Sequence, residues 1–285
     1  MRPCVIVALM LLLATASLFA SEAAPESRPQ ATAGDVVQAQ VVLTVSESKR
    51  LIAKAVARMP VVERALRDGV VIVAKGTTNT YVAEELAGEP VPRGAFVYGR
   101  TYPAKGGKAL PEVEAVSEVI FVNGERRRDL SLDEALDKLE PGDVVIKGAN
   151  ALDYQNKTAG VLTGSPTGGT SGKVLPYVVA RKAHLIIPVG LEKQTAFPVM
   201  DIAARMREPV ESLNDIPSMF LLTGEIFTEI EALRLLAGVS VFQAASGGIG
   251  GAEGAVRLVL RGTRNQVEAA LRLVEGIQGE PPFVE

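Results

Sequence analysis

The stretch Gly69-Val-Val-Ile-Val-Ala-Lys-Gly-Thr-Thr-Asn-Thr80 decides how this chain is read. Its first half is a short β-branched run bounded by glycine, which predicts a buried strand over Gly69–Ala74. Its second half, Lys75-Gly-Thr-Thr-Asn-Thr80, predicts a tight turn into a helix over Thr80–Leu86 that ends near Gly88. The same order recurs downstream. A strand over Asp143–Ile146 leads into Lys147-Gly-Ala-Asn-Ala-Leu-Asp153. Then Gly164-Ser-Pro-Thr-Gly-Gly-Thr-Ser-Gly-Lys173 opens a helix over Gly172–Lys182, interrupted at Pro176, before a strand over Ala183–Val189. Strands alternating with helices predict an α/β fold with an open, mostly parallel sheet and Rossmann-like layers. In such a sheet the loops leaving the carboxyl ends of strands meet at one rim, where ligands bind.

Outward from this centre, Ser46 or Ser48 is positioned to cap a helix over Glu47–Met59, with Leu51, Ile52, Ala55 and Val56 on one face. Pro60 breaks it, and Val61–Arg67 makes a further turn or two. Ala95–Tyr98 and Ser117–Val122 read as strands, with Lys105-Gly-Gly-Lys108 in a loop between them. Ser131 and Glu134 form a capping box for a helix over Leu132–Leu139. After Arg207 the pattern changes. Strands are expected over Met219–Leu222, Val239–Ala244 and Ala255–Arg261, and helices over Thr228–Leu236 and Asn265–Ile277. That order predicts a smaller C-terminal α+β, ferredoxin-like domain. The expected organisation is a signal peptide (residues 1–23), a linker (24–41), the α/β domain (42–207) and the α+β domain (208–285).

Composition narrows the function classes. Of 285 residues, 47% are apolar, enough for a substantial core, and the net charge is only −3. With no basic stripe and no tryptophan, nucleic acid is not an expected partner. The single cysteine, Cys4, lies in the N-terminal segment, and the single histidine is His184, read as a strand-edge residue. Thiolate and histidine metal sites are thereby excluded, and neither metal nor cofactor is expected. Arg2, the apolar run Val5–Ala16 and the small residues around Ser21-Glu-Ala23 have the pattern of an export signal. The expected location is periplasmic or extracellular, with membrane attachment only through an uncleaved signal. Asn156-Lys-Thr158 matches a glycosylation sequon.

The loops supply the candidate site. Lys75, Gly76, Thr77, Thr78, Asn79 and Thr80 offer backbone N–H groups, hydroxyls and a cation to an anion, or else simply cap a helix. Lys147, Gly148 and Asn150 form the second group, and Thr167, Gly168, Gly169, Thr170, Ser171 and Lys173 the third. Asp153 is the candidate base, against the alternative of an Asx turn. Glu192 and Lys193, after the strand ending near Gly190, are the candidate acid–base pair, against the alternative of a solvated salt bridge. The glycine loop Gly247-Gly-Ile-Gly-Gly-Ala-Glu-Gly254 joins two expected strands and reads as a hairpin connection.

These loops also carry a resemblance. Gly76-Thr-Thr-Asn-Thr80 is similar to the phosphate loop of ribose-5-phosphate isomerases and coenzyme A transferases. Gly148-Ala-Asn-Ala-Leu-Asp153 looks like the isomerase Gly-Ala-Asp-Glu-x-Asp motif, and Gly168-Gly-Thr-Ser-Gly-Lys173 with the strand after it looks like the next glycine loop. Over Val61–Lys193 the chain thus resembles the NagB/RpiA/CoA transferase-like superfamily, in an uncharacterised branch of it. The resemblance implies a small phosphorylated or carboxylated ligand. It departs from the family where Asn150 and Ala151 replace acids and where no carboxylate lies between Asp153 and Glu192. Isomerisation requires a positioned base. An isomerase- or transferase-like enzyme therefore stands beside the alternative of a non-catalytic ligand-binding or assembly protein that has lost the family carboxylates. A homo-oligomer built through the tail is compatible with both.

Overall fold

The computed structural model describes residues 36–106 and 110–284. The expected signal peptide and most of the expected linker lie outside the described residues. The fold is mixed α/β, with one six-stranded mixed sheet and two three-stranded sheets.

The chain begins with β1 (Val36–Leu43), α1 (Val45–Val56), α2 (Pro60–Asp68), β2 (Val70–Val73) and α3 (Thr77–Ala87). It continues through β3 (Val119–Val122), β4 (Glu125–Arg126), α4 (Leu132–Asp137), β5 (Val144–Ile146), β6 (Ala151–Asp153) and β7 (Thr158–Thr163). Next come α5 (Gly169–Arg181), β8 (His184–Pro188), α6 (Val199–Arg205), β9 (Ser218–Leu222) and β10 (Glu225–Phe227). The last elements are α7 (Glu229–Ala237), β11 (Ser240–Ser246), β12 (Val256–Thr263) and α8 (Arg264–Glu275).

The central sheet has the order β10-β8-β5-β2-β3-β4. β10, β8, β5 and β2 are parallel, whereas β3 pairs antiparallel with β2 and β4 antiparallel with β3. The unbroken apolar runs of β2 and β5 are buried at every residue, as strands covered on both faces must be. Each buried valine or isoleucine stabilises the sheet by about 1.5–3 kcal/mol. At the amino end, the buried carboxylate of Asp143 accepts the N–H of Val70 at 2.8 Å and of Glu140 at 2.7 Å, joining the starts of β2 and β5. Gly69 makes this possible, because a Cβ there would lie 2.3 Å from Asp143 Oδ1.

The ends of α1 show why the sequence expectation needed adjusting. β1 runs to Leu43, so the helix starts earlier and Thr44 is its cap, in a capping box with Glu47. Ser46 and Ser48, read as caps, are instead buried within the helix. β1 itself occupies residues assigned to the linker. Its glutamines, Gln38 and Gln40, alternate with more buried neighbours, and it pairs antiparallel with β12 from Val36↔Thr263 to Leu43↔Val256. Ala95–Val97, read as part of a strand, is buried but irregular, held by bonds such as Gly76 N–H to Phe96 O at 2.9 Å.

Strand pairing also crosses the expected boundary at 207/208. β9 pairs with β7, β10 with β8, and β1 with β12 in the sheet β1-β12-β11. α8 covers that last sheet through Val267, Ala270 and Val274. Among the described residues no helix is long and apolar enough to cross a membrane.

Candidate functional site

The four parallel strands deliver their following residues to one rim. β2 leads to Lys75-Gly76, β5 to Lys147-Gly148, β8 to Gly190 and a 3-10 turn over Leu191–Lys193, and β10 to Thr228-Glu229. Ladder bonds continue past the strand ends: Ala74 N–H donates to Ile146 O, Lys147 N–H to Ile186 O, and Val189 N–H to Phe227 O. The rim is therefore an extension of the sheet, which fixes the side chains mounted on it.

α3 opens at Gly76 with no side-chain cap. Its first N–H groups, at Thr77 and Thr78, consequently face the rim without an intrahelical partner. Thr80 Oγ1 turns back to donate to Gly76 O at 2.9 Å. Asn79 is fully buried and joins two strands, its Nδ2 donating to Ala74 O at 2.7 Å and to Ile146 O at 3.1 Å. Its Oδ1 has no partner among the described residues and faces Gly148, where a Cβ would stand 3.6 Å away. Lys75 is buried to its tip, where Nζ donates to the exposed Tyr98 hydroxyl at 3.1 Å and lies 4.3 Å from the ring centre.

The next loops contribute two more cations. Lys147 Nζ donates to Gly148 O at 3.0 Å, and Lys193 Nζ donates to Ala149 O at 2.9 Å, so the two ammonium groups sit on successive carbonyls. Burial, reinforced by Lys193, brings the Lys147 ammonium down to about 8. α1 brings Lys49, also buried. Its pKa falls to about 8, first through burial and then through Lys193, with Glu192 opposing and Arg93 adding to the fall.

Two carboxylates balance these charges in part. The Glu192 side chain curls beneath Gly190, and its Oε2 is buried with no partner among the described residues. Glu229 is fully buried at the first turn of α7 and accepts the Leu191 N–H at 3.0 Å, which holds the 3-10 turn in place. Burial pushes its carboxyl up to about 7, against hydrogen bonds from its own backbone and Leu191, with Glu192 adding repulsion. Such opposed shifts at one rim are the arrangement found where protons are moved or anions held.

Lys75, Gly76, Thr77, Thr78, Asn79, Thr80, Lys147, Gly148, Glu192 and Lys193 thus stand at a common rim, as the topology places them. The third loop is organised separately. Thr167 is exposed and close to Ser165, Gly168 packs against Phe220, and Gly169 against Ser165 and Thr163. Thr170 is half-buried, and Ser171 is buried with its hydroxyl unpartnered among the described residues. Lys173 pairs with Asp133 of α4 at 2.9 Å on the surface. No hydrogen bond or ion pair among the described residues links this loop to Lys75, Lys147 or Lys193. Asn150 Oδ1 accepts the Leu162 N–H at 3.1 Å, aligning β6 with β7. Asp153 holds the β6–β7 turn by accepting from Asn156 N–H at 3.1 Å and Nδ2 at 2.8 Å, bonds that lower its pKa. It is the Asx-turn alternative that the geometry matches.

Sequence reasoning missed Lys49 and Glu229. Lys49 lies inside the expected helix Glu47–Met59, and Glu229 inside the expected helix Thr228–Leu236, both away from the glycine loops. In the structure Lys49 sits in the second turn of α1 and Glu229 in the first turn of α7, each among buried residues. Among the described residues, no group of three or more His, Cys, Asp or Glu side chains could hold a metal ion. No family model, curated protein or solved structure matches this chain.

Proposed function

We propose that this protein binds a small phosphorylated or carboxylated compound at the carboxyl rim of β2, β5 and β8. One observation carries the reading: the Lys147 and Lys193 amines donate to successive carbonyls, those of Gly148 and Ala149, at 3.0 and 2.9 Å, which sets two cations together at the rim. Like charges held together in a partly desolvated place destabilise the empty rim, and an anion relieves that repulsion. The uncapped start of α3 adds backbone donors.

The proposal extends to the finer architecture, in which the central sheet is a Rossmann-like layer of the NagB/RpiA/CoA transferase-like kind and β11, β12 and α8 derive from a ferredoxin-like layer. It also includes export of the chain. Asp153 is engaged in its turn, which favours a ligand site without the family's isomerase chemistry. The test is a thermal-shift and calorimetric screen of the purified protein with inorganic phosphate, phosphorylated sugars, nucleotides, acyl-coenzyme A compounds and carboxylic acids. Stabilisation by anions that disappears in Lys193→Ala is expected; indifference to every anion would overturn the reading.

A further inference from the structure

Lys147 has the setting of a nucleophile as well as that of a ligand-binding cation. It follows the central strand β5, so its backbone is fixed by the sheet on both sides. Its amine lies on Gly148 O, and the Lys193 amine lies on the next carbonyl, that of Ala149. Both side chains are only partly buried, so a small molecule can reach them from solvent. We propose that Lys147 forms an imine with the aldehyde or ketone carbon of a small anion whose charged group is held by the neighbouring lysines. This deepens the anion-binding reading and rests on it.

The step closes chemically with the residues present. The neutral Lys147 amine gives its lone pair to the carbonyl carbon as the π electrons move to oxygen. The proton lost from nitrogen passes to that oxygen, giving a carbinolamine. Lys193, as an ammonium, then donates a proton to the departing hydroxyl. Water leaves, the nitrogen lone pair forms the C=N bond, and the product is a protonated imine beside a neutral Lys193. The positive charge thus moves from one nitrogen to its neighbour, and the pair never carries two charges during the step. A lysine beside another cation is activated in just this sense, because its neutral form is populated near neutrality. With the ammonium brought to about 8, about a tenth of Lys147 is neutral at pH 7, against well under about a thousandth for an ordinary lysine.

The test is borohydride trapping of the intact protein with pyruvate or glyceraldehyde 3-phosphate, followed by peptide mass spectrometry. Lactate and glycerol 3-phosphate serve as matched anions without a carbonyl, and their binding is followed by calorimetry. The expected result is a reduced adduct on Lys147 of the wild-type protein, which also binds lactate or glycerol 3-phosphate, and no adduct in Lys147→Arg. Lys193→Ala should trap at least about tenfold more slowly, since the group that protonates the departing hydroxyl is gone. Circular dichroism of both variants establishes that they are folded. Adducts spread over surface lysines such as Lys138 and Lys182, or no adduct while the matched anions bind, would overturn the imine and leave the anion site standing. Binding of neither kind of anion would overturn both.

Discussion

Lys193 Nζ reaches from the turn after β8 to the carbonyl of Ala149, after β5, at a distance of 2.9 Å. This bond spans the gap between two neighbouring parallel strands and sets one ammonium beside another, that of Lys147. Removing it should do two separable things. Lys193→Ala should weaken inorganic phosphate or carboxylate binding by about 1.5–3 kcal/mol, the range for a charge-assisted hydrogen bond, and should let the Lys147 pKa rise. Lys173→Ala should leave affinity nearly unchanged, because Lys173 pairs with Asp133 on the surface. Calorimetry on both variants checks this, and equal losses would mean that the third loop shares the site.

Asp153→Ala should act on stability and leave ligand affinity alone. Its carboxylate accepts two donors from Asn156 at the β6–β7 turn. Losing them should cost about 1–2 kcal/mol, read by chemical denaturation. A variant of normal stability that no longer binds anions would instead make Asp153 a ligand-binding residue. The same measurement bears on isomerase activity. With Asp153 committed to the turn and Asn150 paired with Leu162, the wild-type protein should not turn over ribose 5-phosphate above background in a coupled assay.

The central strands were legible because Gly69–Ala74 and Asp143–Ile146 are β-branched runs bounded by turn residues, a local signal. Lys75 and Lys147 come at the ends of such runs, and Glu192 and Lys193 follow the run His184–Pro188 within a few residues, so chain order alone puts all four toward one rim. Residues whose role depends on distant partners were not legible. Gln38 and Gln40 alternate as a strand should, but β1 is only stable against β12, more than two hundred residues away. A polar, alanine-containing segment with no visible partner resembles a linker. Lys49 and Glu229 lie on helices that chain order alone does not bring to the rim. Thr167–Lys173 has the composition of an anion loop at a helix start, and in the structure Thr167 lies by Ser165 while Lys173 pairs with Asp133 of α4.

The C-terminal segment should stabilise the rim from outside. Arg93 lies 4.3 Å from the ring centre of the buried Tyr81 and 5.3 Å from that of Phe283, while Glu280 bonds Arg50 at 3.0 Å. Lys49 is also within 5.8 Å of the Phe283 ring. Phe283→Ala should lower stability by about 1–2 kcal/mol through the lost cation–π and ring contacts. Urea denaturation of the variant checks this, and an unchanged midpoint would mean that the segment contributes no net stability.

Glu229 should give the stability profile a trough near neutral pH. Its folded pKa, about 7, lies above its ordinary 4.5. Between those values the folded protein holds a proton that the unfolded chain has released. The relative stabilisation is complete below about pH 4.5 and is lost as pH rises through 7. Lys49 and Lys147 have the opposite sign. Their folded values, about 8, lie below the ordinary 10.5. Between 8 and 10.5 the unfolded chain holds protons that the folded protein has shed, so stability rises again over that interval. The melting temperature should therefore fall from mildly acidic pH to a minimum between about 7 and 8, then recover. Glu229→Gln keeps the shape and an acceptor for the Leu191 N–H while removing the titration. It should flatten the acidic limb, a difference on the order of 3 kcal/mol at full ionisation, and leave the alkaline limb in place. An acidic limb with the same slope in the variant would assign the titration to another group and remove Glu229 from the charge balance of the rim.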